Sequence, residues 1–159
     1  MGESDTALEG EVAGQSGFVG EFAHTLDLKR RLTIPSGWRA QVGSPKSLFV
    51  LPDLYARCLC VFPGAEMQRM MERVRKVPYS DQKGRALFRE IGRQSDLVTW
   101  DSQGRIRIND RLLDFAELKS EVLLYGAFDN FQIWRPENWK GAPGIDQTGL
   151  QEAARSIGF

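Results

Sequence analysis

Short runs of alternating apolar and polar residues recur along this chain, and they predict a protein built mainly of β-strands. One run, over residues 26–35, reads Leu-Asp-Leu-Lys-Arg-Arg-Leu-Thr-Ile-Pro. A partial copy, over residues 100–109, reads Trp-Asp-Ser-Gln-Gly-Arg-Ile-Arg-Ile-Asn. Each copy holds an Asp, a three-residue spacer, an Arg and then an apolar alternation. A pattern repeated in this way indicates that one unit was duplicated.

The correspondence continues beyond these two runs. Residues 36–42 match 110–116, residues 48–51 match 122–125 and, after a two-residue difference in length, residues 59–63 match 131–135. Each half then reads strand, charged turn, strand, short helix, strand, turn, strand. Units of about 45 residues are too small to be more than marginally stable alone. We therefore expect a mainly β fold with some α, in which the two units pack on each other.

The segment between the two units has a helical pattern. Pro78 ends a first helix, Ser80 is positioned to cap a second, and Gly92 is expected to end that one. Asp81 and Arg85 copy the spacing of the charged turns, but we interpret them as a helix start and a surface residue. The first helix carries an apolar stripe, either core or a contact between chains, formed by Met67, Met70, Met71, Val74 and Val77.

These patterns divide the chain into five segments. We expect a flexible acidic tail over 1–20, a first repeat over 21–66, a helical linker over 67–93, a second repeat over 95–138, and a C-terminal tail over 139–159 that ends in a loose helix. The N-terminus resembles no signal peptide, and no apolar run approaches the ~20 residues of a membrane span.

Net charge is zero, so only the local charge distribution can indicate an anionic partner. Residues 22–63 hold six basic and two acidic side chains, whereas residues 94–140 hold six and eight. Between Lys29 and Lys46 there is no acid at all. Clustered Lys and Arg on a projecting turn suit phosphate, and Arg also suits guanine. The alternative is that each Asp–Arg pair only holds its turn, which is worth about 0–1 kcal/mol.

The turns also have a recognisable backbone chemistry. Asp27 and Asp101 can accept hydrogen bonds from turn N–H groups, and Gly104 suits a left-handed position in a hairpin loop. Arg30 stands where Gly104 stands in the other copy, which costs roughly 1–2 kcal/mol if that position is left-handed. The candidate DNA-binding residues are Lys29, Arg30, Arg31, Arg39, Arg105 and Arg107.

No pattern for catalysis is present. The single histidine, His24, lies on a strand, and there is no metal-ligand spacing, Gly-rich phosphate loop or nucleophile elbow. Cys58 and Cys60 share one face of a strand, but two residues cannot make a structural zinc site. We therefore predict no catalytic residues, metal, cofactor or small-molecule substrate.

Two strand–turn–strand–helix–strand units with Asp-x-x-Gly-Arg turns resemble the MraZ family, which has two SpoVT-AbrB swapped-hairpin repeats. The resemblance covers residues about 21–139. It implies a β-barrel-like pseudo-dimer and a ring of several chains. It further implies a regulator, most simply a repressor, that binds direct repeats of double-stranded DNA in its own promoter, upstream of the cell-division and cell-wall genes. In that family the turn arginines, here Arg31 and Arg105, contact DNA.

The resemblance also implies a cytoplasmic, nucleoid-associated protein. The family's first turn usually has Gly where this chain has Arg30, and its members begin closer to the first strand. The acidic tail could compete with DNA for the basic turn. A second reading of the same fold is an antitoxin-like module that binds another protein. Its anchors would lie after Gly141, where the apolar candidates are Ile145, Leu150, Ile157 and Phe159.

Overall fold

A computed structural model describes residues 17–43, 46–140 and 144–159, and in these ranges the chain forms two matching halves. The first half consists of β1 (Glu21–Thr25), β2 (Arg31–Thr33), α1 (Ser36–Val42), β3 (Ser47–Pro52) and β4 (Cys58–Pro63). A linker follows with a 3₁₀ turn (Gly64–Glu66), α2 (Met67–Arg75) and α3 (Gln82–Gln94). The second half consists of β5 (Asp96–Thr99), β6 (Arg105–Arg107), α4 (Asp110–Ala116), β7 (Glu121–Gly126) and β8 (Phe131–Trp134). The chain ends with α5 (Pro136–Lys140) and α6 (Gln147–Ile157).

Strands are exchanged between the halves. A six-stranded antiparallel sheet has the order β1-β7-β8-β4-β3-β5, so each half sends its first strand to the far edge of the other half. When each strand is replaced by its counterpart in the other half, the sheet has the same strand order read from the opposite edge. The sheet therefore has a pseudo-twofold axis between β4 and β8. Strands β2 and β6 pair in a separate two-stranded ribbon. The α+β class is confirmed, although the strands form two sheets and not one closed barrel.

The ladder registers confirm the correspondence between the halves. Phe49 pairs with Phe62 in the β3–β4 ladder, and Leu123 pairs with Trp134 in the β7–β8 ladder. These are the positions that the sequence match equates. The two-residue difference falls in the connecting loops, and the shorter second loop turns through Phe128, whose φ is 69°.

The core lies between one face of the large sheet, the β2–β6 ribbon, α1 and α4. Its fully buried side chains come from both halves and include Leu32, Ile34, Leu59, Ile106, Ile108, Leu112, Leu124, Phe131 and Ile133. Because the ribbon takes one strand from each half, neither half has a complete core of its own. The predicted packing of two small units on each other follows from this shared core.

The folded region begins before the predicted first repeat. Phe18 is only 3% exposed and forms an antiparallel bridge with Phe128, with N–O distances of 2.7 and 3.0 Å. Its ring packs edge-on against Trp38 and Phe131. Residues 17–20 therefore belong to the fold and not to the tail expected over 1–20. A single buried Phe between glycines gives no periodicity from which this anchoring could be predicted.

The two linker helices exist, but their details differ from the expectation. Asp81 is the N-cap of α3 and accepts from the Gly84 amide at 2.9 Å, so Ser80 is not the cap. The helix continues past Gly92 to Gln94. Arg85 is half-buried, donates to the Val77 carbonyl and lies 4.2 Å from the centre of the Tyr79 ring. It therefore closes the turn between α2 and α3, and the expectation of a plain surface residue is wrong.

The apolar stripe of α2 does not enter the core of this chain. No residue of α2 or α3 is buried, and Met71 and Leu87 are 40% and 42% exposed. Of the two readings of the stripe, the buried core is wrong, and a contact between chains stays a prediction. The expected C-terminal helix is α6, and among the described residues no helix is both long enough and apolar enough to cross a bilayer.

Candidate nucleic-acid interface

The two charged turns have the same hydrogen-bond geometry. In the first, Asp27 Oδ1 accepts from the amides of Lys29 and Arg31 at 2.8 and 2.9 Å, and Oδ2 accepts from Arg31 Nε at 2.7 Å. In the second, Asp101 accepts from the amides of Gln103 and Arg105 at 2.9 and 3.0 Å, and from Arg105 Nε at 2.8 Å. Each Asp thus fixes the loop and the direction of one guanidinium.

The same contacts keep both carboxylates ionised. Hydrogen bonds from the Arg31 amide, and then from its side chain and the Lys29 amide, lower the pKa of Asp27 despite some desolvation. The pKa of Asp101 is lowered for the corresponding reasons, first by the Arg105 amide. Each guanidinium is held through Nε, and no described residue bonds its terminal nitrogens. These nitrogens are therefore available to an outside acceptor.

The turn position shared by Arg30 and Gly104 is left-handed in both copies, with φ of 62° and 77°. Each residue donates its amide to the carbonyl of its own Asp at 2.9 Å. Each carbonyl accepts from the other half, Arg30 from Ile108 at 3.1 Å and Gly104 from Ile34 at 2.9 Å. The Arg30 side chain reaches Asp110 in the first turn of α4. Arg30 is accommodated without loss of the turn.

Arg39, predicted from its charge to bind DNA, lies on the second turn. Its Nε donates to the Ile34 carbonyl at 3.1 Å, and a Cβ built on Gly104 would lie 2.3 Å from its Nη1. The guanidinium thus occupies the space that the glycine leaves. Leu113, its equivalent in α4, is buried and brings no charge to the first turn. Contact between α1 of one half and the turn of the other follows from the strand exchange, which the sequence does not reveal.

Exchanging the two turn residues should have unequal effects. Gly104→Arg should destabilise the protein by at least about 1–2 kcal/mol, because it adds left-handed strain and displaces Arg39. Arg30→Gly removes that strain but adds unfolded-state entropy of about 0.5–1 kcal/mol and loses an exposed ion pair, so its net effect should stay below about 1 kcal/mol. Urea unfolding of both variants measures this difference, and equal destabilisation would contradict it.

The β2–β6 ribbon brings the candidate cations together. Its register places Arg31 opposite Arg107 and Thr33 opposite Arg105, while Leu32 and Ile106 point into the core. Because the strands are antiparallel, the two turns lie at opposite ends of the ribbon. Like charges directly opposite on one face are unfavourable in the free protein. This repulsion is relieved when an anion lies on the outer face.

A shallow cleft of about 370 Å³ lies at the first-turn end, and four of its five lining residues are basic: Leu28, Lys29, Arg30, Arg31 and Arg107. A neighbouring cleft of about 580 Å³ continues from Arg107 to Arg111 but is also lined by Asp96 and Asp110. The first cleft is the better match for a phosphate. Arg111 is not among the residues predicted from the sequence, and it lines the same cleft as Arg107.

Comparison with known proteins identifies relatives that match most of this chain. Residues 93–142 match a family model described as "MraZ protein, putative antitoxin-like". Three proteins named "Transcriptional regulator MraZ" match most of the chain. The protein of Clostridium acetobutylicum is 29% identical over 144 residues, which are 89% of this chain and 99% of the relative. The protein of Leuconostoc mesenteroides is 34% identical over 122 residues, covering 77% and 83% of the two chains.

The third relative, from Carboxydothermus hydrogenoformans, is 30% identical over 140 residues, covering 88% of this chain and 96% of the relative. The matched stretches include both halves and the linker, so the likeness extends to the whole duplicated architecture. All three names denote regulators of transcription, and none of them denotes an enzyme. The chain belongs to the MraZ family.

Proposed function

We propose that this protein is a sequence-specific DNA-binding transcriptional regulator. The observation that carries the proposal is the cationic outer face of the β2–β6 ribbon, where Arg31 stands opposite Arg107 beside the Lys29–Arg30 turn. The names of the relatives support it.

The ribbon suits the major groove of DNA, which admits a two-stranded β-ribbon. Lys29, Arg30 and Arg107 would contact phosphates and set the position of the protein. Arg31 and Arg105 are held through Nε, so their terminal nitrogens can form paired hydrogen bonds to guanine or to a phosphate. Arg39 would act indirectly, by holding the second turn in shape.

One chain carries few cations on this face, so useful affinity needs several chains on one DNA. The half-exposed apolar residues of α2 and α3 offer a contact between chains, and we propose a ring of protomers that presents several ribbons in series. Direct repeats in DNA would match such a ring. From the family resemblance, we further propose that the ring represses its own promoter and the cell-division and cell-wall genes. We also propose that it is associated with the nucleoid in the cytoplasm.

The test is binding to the DNA upstream of this protein's own gene, compared with a scrambled duplex, at two salt concentrations. Arg31→Ala and Arg105→Ala should each weaken specific binding by about 1–3 kcal/mol per contacted base, and Arg31→Ala should weaken it more. Arg155→Ala is the control, because Arg155 is an exposed cation on α6, which belongs neither to the ribbon nor to the linker helices proposed for contact between chains. Unchanged binding in both turn variants would remove the proposed site.

An antitoxin-like role in binding another protein is the second candidate. The observation that favours it is the exposure of Leu150, Ile157 and Phe159 at 52%, 71% and 89% along α6 and its end. Removing residues 144–159 separates the two roles. DNA binding should persist without them, whereas a partner captured by α6 would be lost.

A further inference from the structure

Three potential metal ligands converge at the start of the β3–β4 loop. The Sγ atoms of Cys58 and Cys60 and a carboxylate oxygen of Asp53 all lie within 4.8 Å of one another. The two thiols come from one face of β4, and Asp53 follows the last residue of β3. Cys58 is buried, while Cys60 and Asp53 are half-buried, so the cluster can be reached from outside. The sequence supplied the two cysteines, and the fold supplies the third group.

The carboxylate is held in place for coordination. Asp53 Oδ1 accepts from the amides of Tyr55 and Ala56 at 2.7 and 3.0 Å, and the Asp53 amide donates to the Cys58 carbonyl at 3.0 Å. The other oxygen, Oδ2, accepts from the Cys60 thiol at 3.2 Å. Outer hydrogen bonds of this kind are how proteins orient a ligating carboxylate.

The second half of the molecule shows that the fold does not require this cluster. The positions equivalent to Cys58 and Cys60 are Asn130 and Gln132, and the position equivalent to Asp53 is Ala127. The β7–β8 ladder forms in the corresponding register without any of the three groups. The cluster is therefore a feature of the first half alone, added to a strand pair that folds without it.

The donor set of the cluster suits a cation, because two thiols and one carboxylate offer sulfur and oxygen atoms within 4.8 Å of one another. Two thiolates and a carboxylate this close together would repel one another, and a bound cation offsets that repulsion. Binding would release the thiol protons to solvent and leave two thiolates and one carboxylate on the ion.

We propose that Asp53, Cys58 and Cys60 form a zinc-binding site. Zinc accepts both sulfur and carboxylate ligands, with Zn–S near 2.3 Å and Zn–O near 2.0–2.2 Å. A tetrahedral ion with these bond lengths holds its ligand atoms roughly 3.5–3.8 Å apart, and Cys60 Sγ already lies 3.2 Å from Asp53 Oδ2. The carboxylate makes zinc a better match than Cu(I), which prefers soft ligands alone. The fourth position is left to water or an added ligand.

A bound ion would tie the β3–β4 loop to its own strand. That loop exposes Leu54 and Tyr55, at 54% and 92%, and borders a cleft whose other wall includes Leu87 and Ile91 of α3. Zinc would therefore stiffen the surface between the first half and the linker. This site is separate from the cationic ribbon and does not depend on the proposed DNA binding.

The test uses the full-length protein, reduced and freed of metal, titrated with Co²⁺ as a spectroscopic probe and then with Zn²⁺. We expect one ion per chain, thiolate-to-cobalt charge-transfer absorption, displacement of cobalt by zinc, and a rise in Tm with zinc. Cys60→Ser and Asp53→Asn should each weaken binding by at least the ~10–100-fold that loss of an outer-shell partner costs.

Asp129→Asn is the matched control, because Asp129 is a carboxylate in the equivalent loop of the second half and should leave binding unchanged. Circular dichroism without metal checks that each variant is folded. Cys60→Ser is preferred to a change at Cys58 because Cys58 is buried, and a substitution there could unfold the protein and remove metal binding indirectly. Absence of the charge-transfer absorption, or equal zinc affinity in Cys60→Ser, would overturn the site.

Discussion

Trp38→Ala is expected to lower the free energy of unfolding by about 3–5 kcal/mol, among the largest losses that one substitution can cause in this fold. Trp38 is 2% exposed, and its ring lies 4.7 Å from that of Phe131, 5.0 Å from Phe22 and 5.8 Å from Phe18. Its Nε1 donates to the Val19 carbonyl at 3.0 Å. Removing the indole therefore frees the N-terminal segment and opens a cavity beneath α1.

Urea unfolding followed by circular dichroism measures this loss. Tyr55→Ala removes an aromatic ring that is 92% exposed, and it should change stability by less than about 0.5 kcal/mol. Trp38→Phe keeps part of the ring packing but not the Val19 hydrogen bond, so it should fall between the two. A loss below about 1 kcal/mol in Trp38→Ala would show that the aromatic cluster does not anchor residues 17–20.

Much of the local structure could be predicted because the same sequence pattern occurs in both halves of the chain. The alternation after Asp27 and after Asp101 gives β2 and β6, and the equivalence of residues 59–63 with 131–135 reappears in the ladder registers. The hydrogen bonds made by the turn Asp are also local, since an Asp, a three-residue spacer and an Arg contain all of their donors and acceptors. Repetition thus compensates for the weakness of each short strand signal.

Contacts between the halves could not be predicted in the same way. Local periodicity says that β1 is a strand but not that its partner is β7, because pairing depends on distant residues. The same exchange places Arg39 over Gly104. Arg111, which lines a cleft together with Arg107, was not predicted from the sequence. Asp53 was likewise overlooked as a companion of the cysteines, since only the returning strand brings it to them.

Removing the basic groups of the first turn together should nearly abolish DNA binding. The variant Lys29→Ala, Arg30→Gly, Arg31→Ala keeps Asp27 and permits the left-handed backbone at position 30. Each cation that contacts a phosphate contributes about 0.9 to the slope of log K against log salt. The slope should therefore fall by up to about 3 for each engaged chain. Because chains bind one DNA together, affinity should drop more than about 100-fold.

Three exposed linker cations outside the apolar stripe supply a control with the same change in charge, Arg69→Ala, Arg73→Ala and Arg75→Ala on α2. Because α2 also carries the proposed contact between chains, size-exclusion chromatography checks that this variant assembles as the parent protein does. That variant should keep most of its affinity and its salt slope if the ribbon, and not general charge, binds DNA. Arg105→Ala should lie between the two, because the second turn carries Ser102 and Gln103 where the first carries Leu28 and Lys29. Equal losses in the first-turn and linker variants would mean that net charge, not the geometry around Arg31 and Arg107, determines binding.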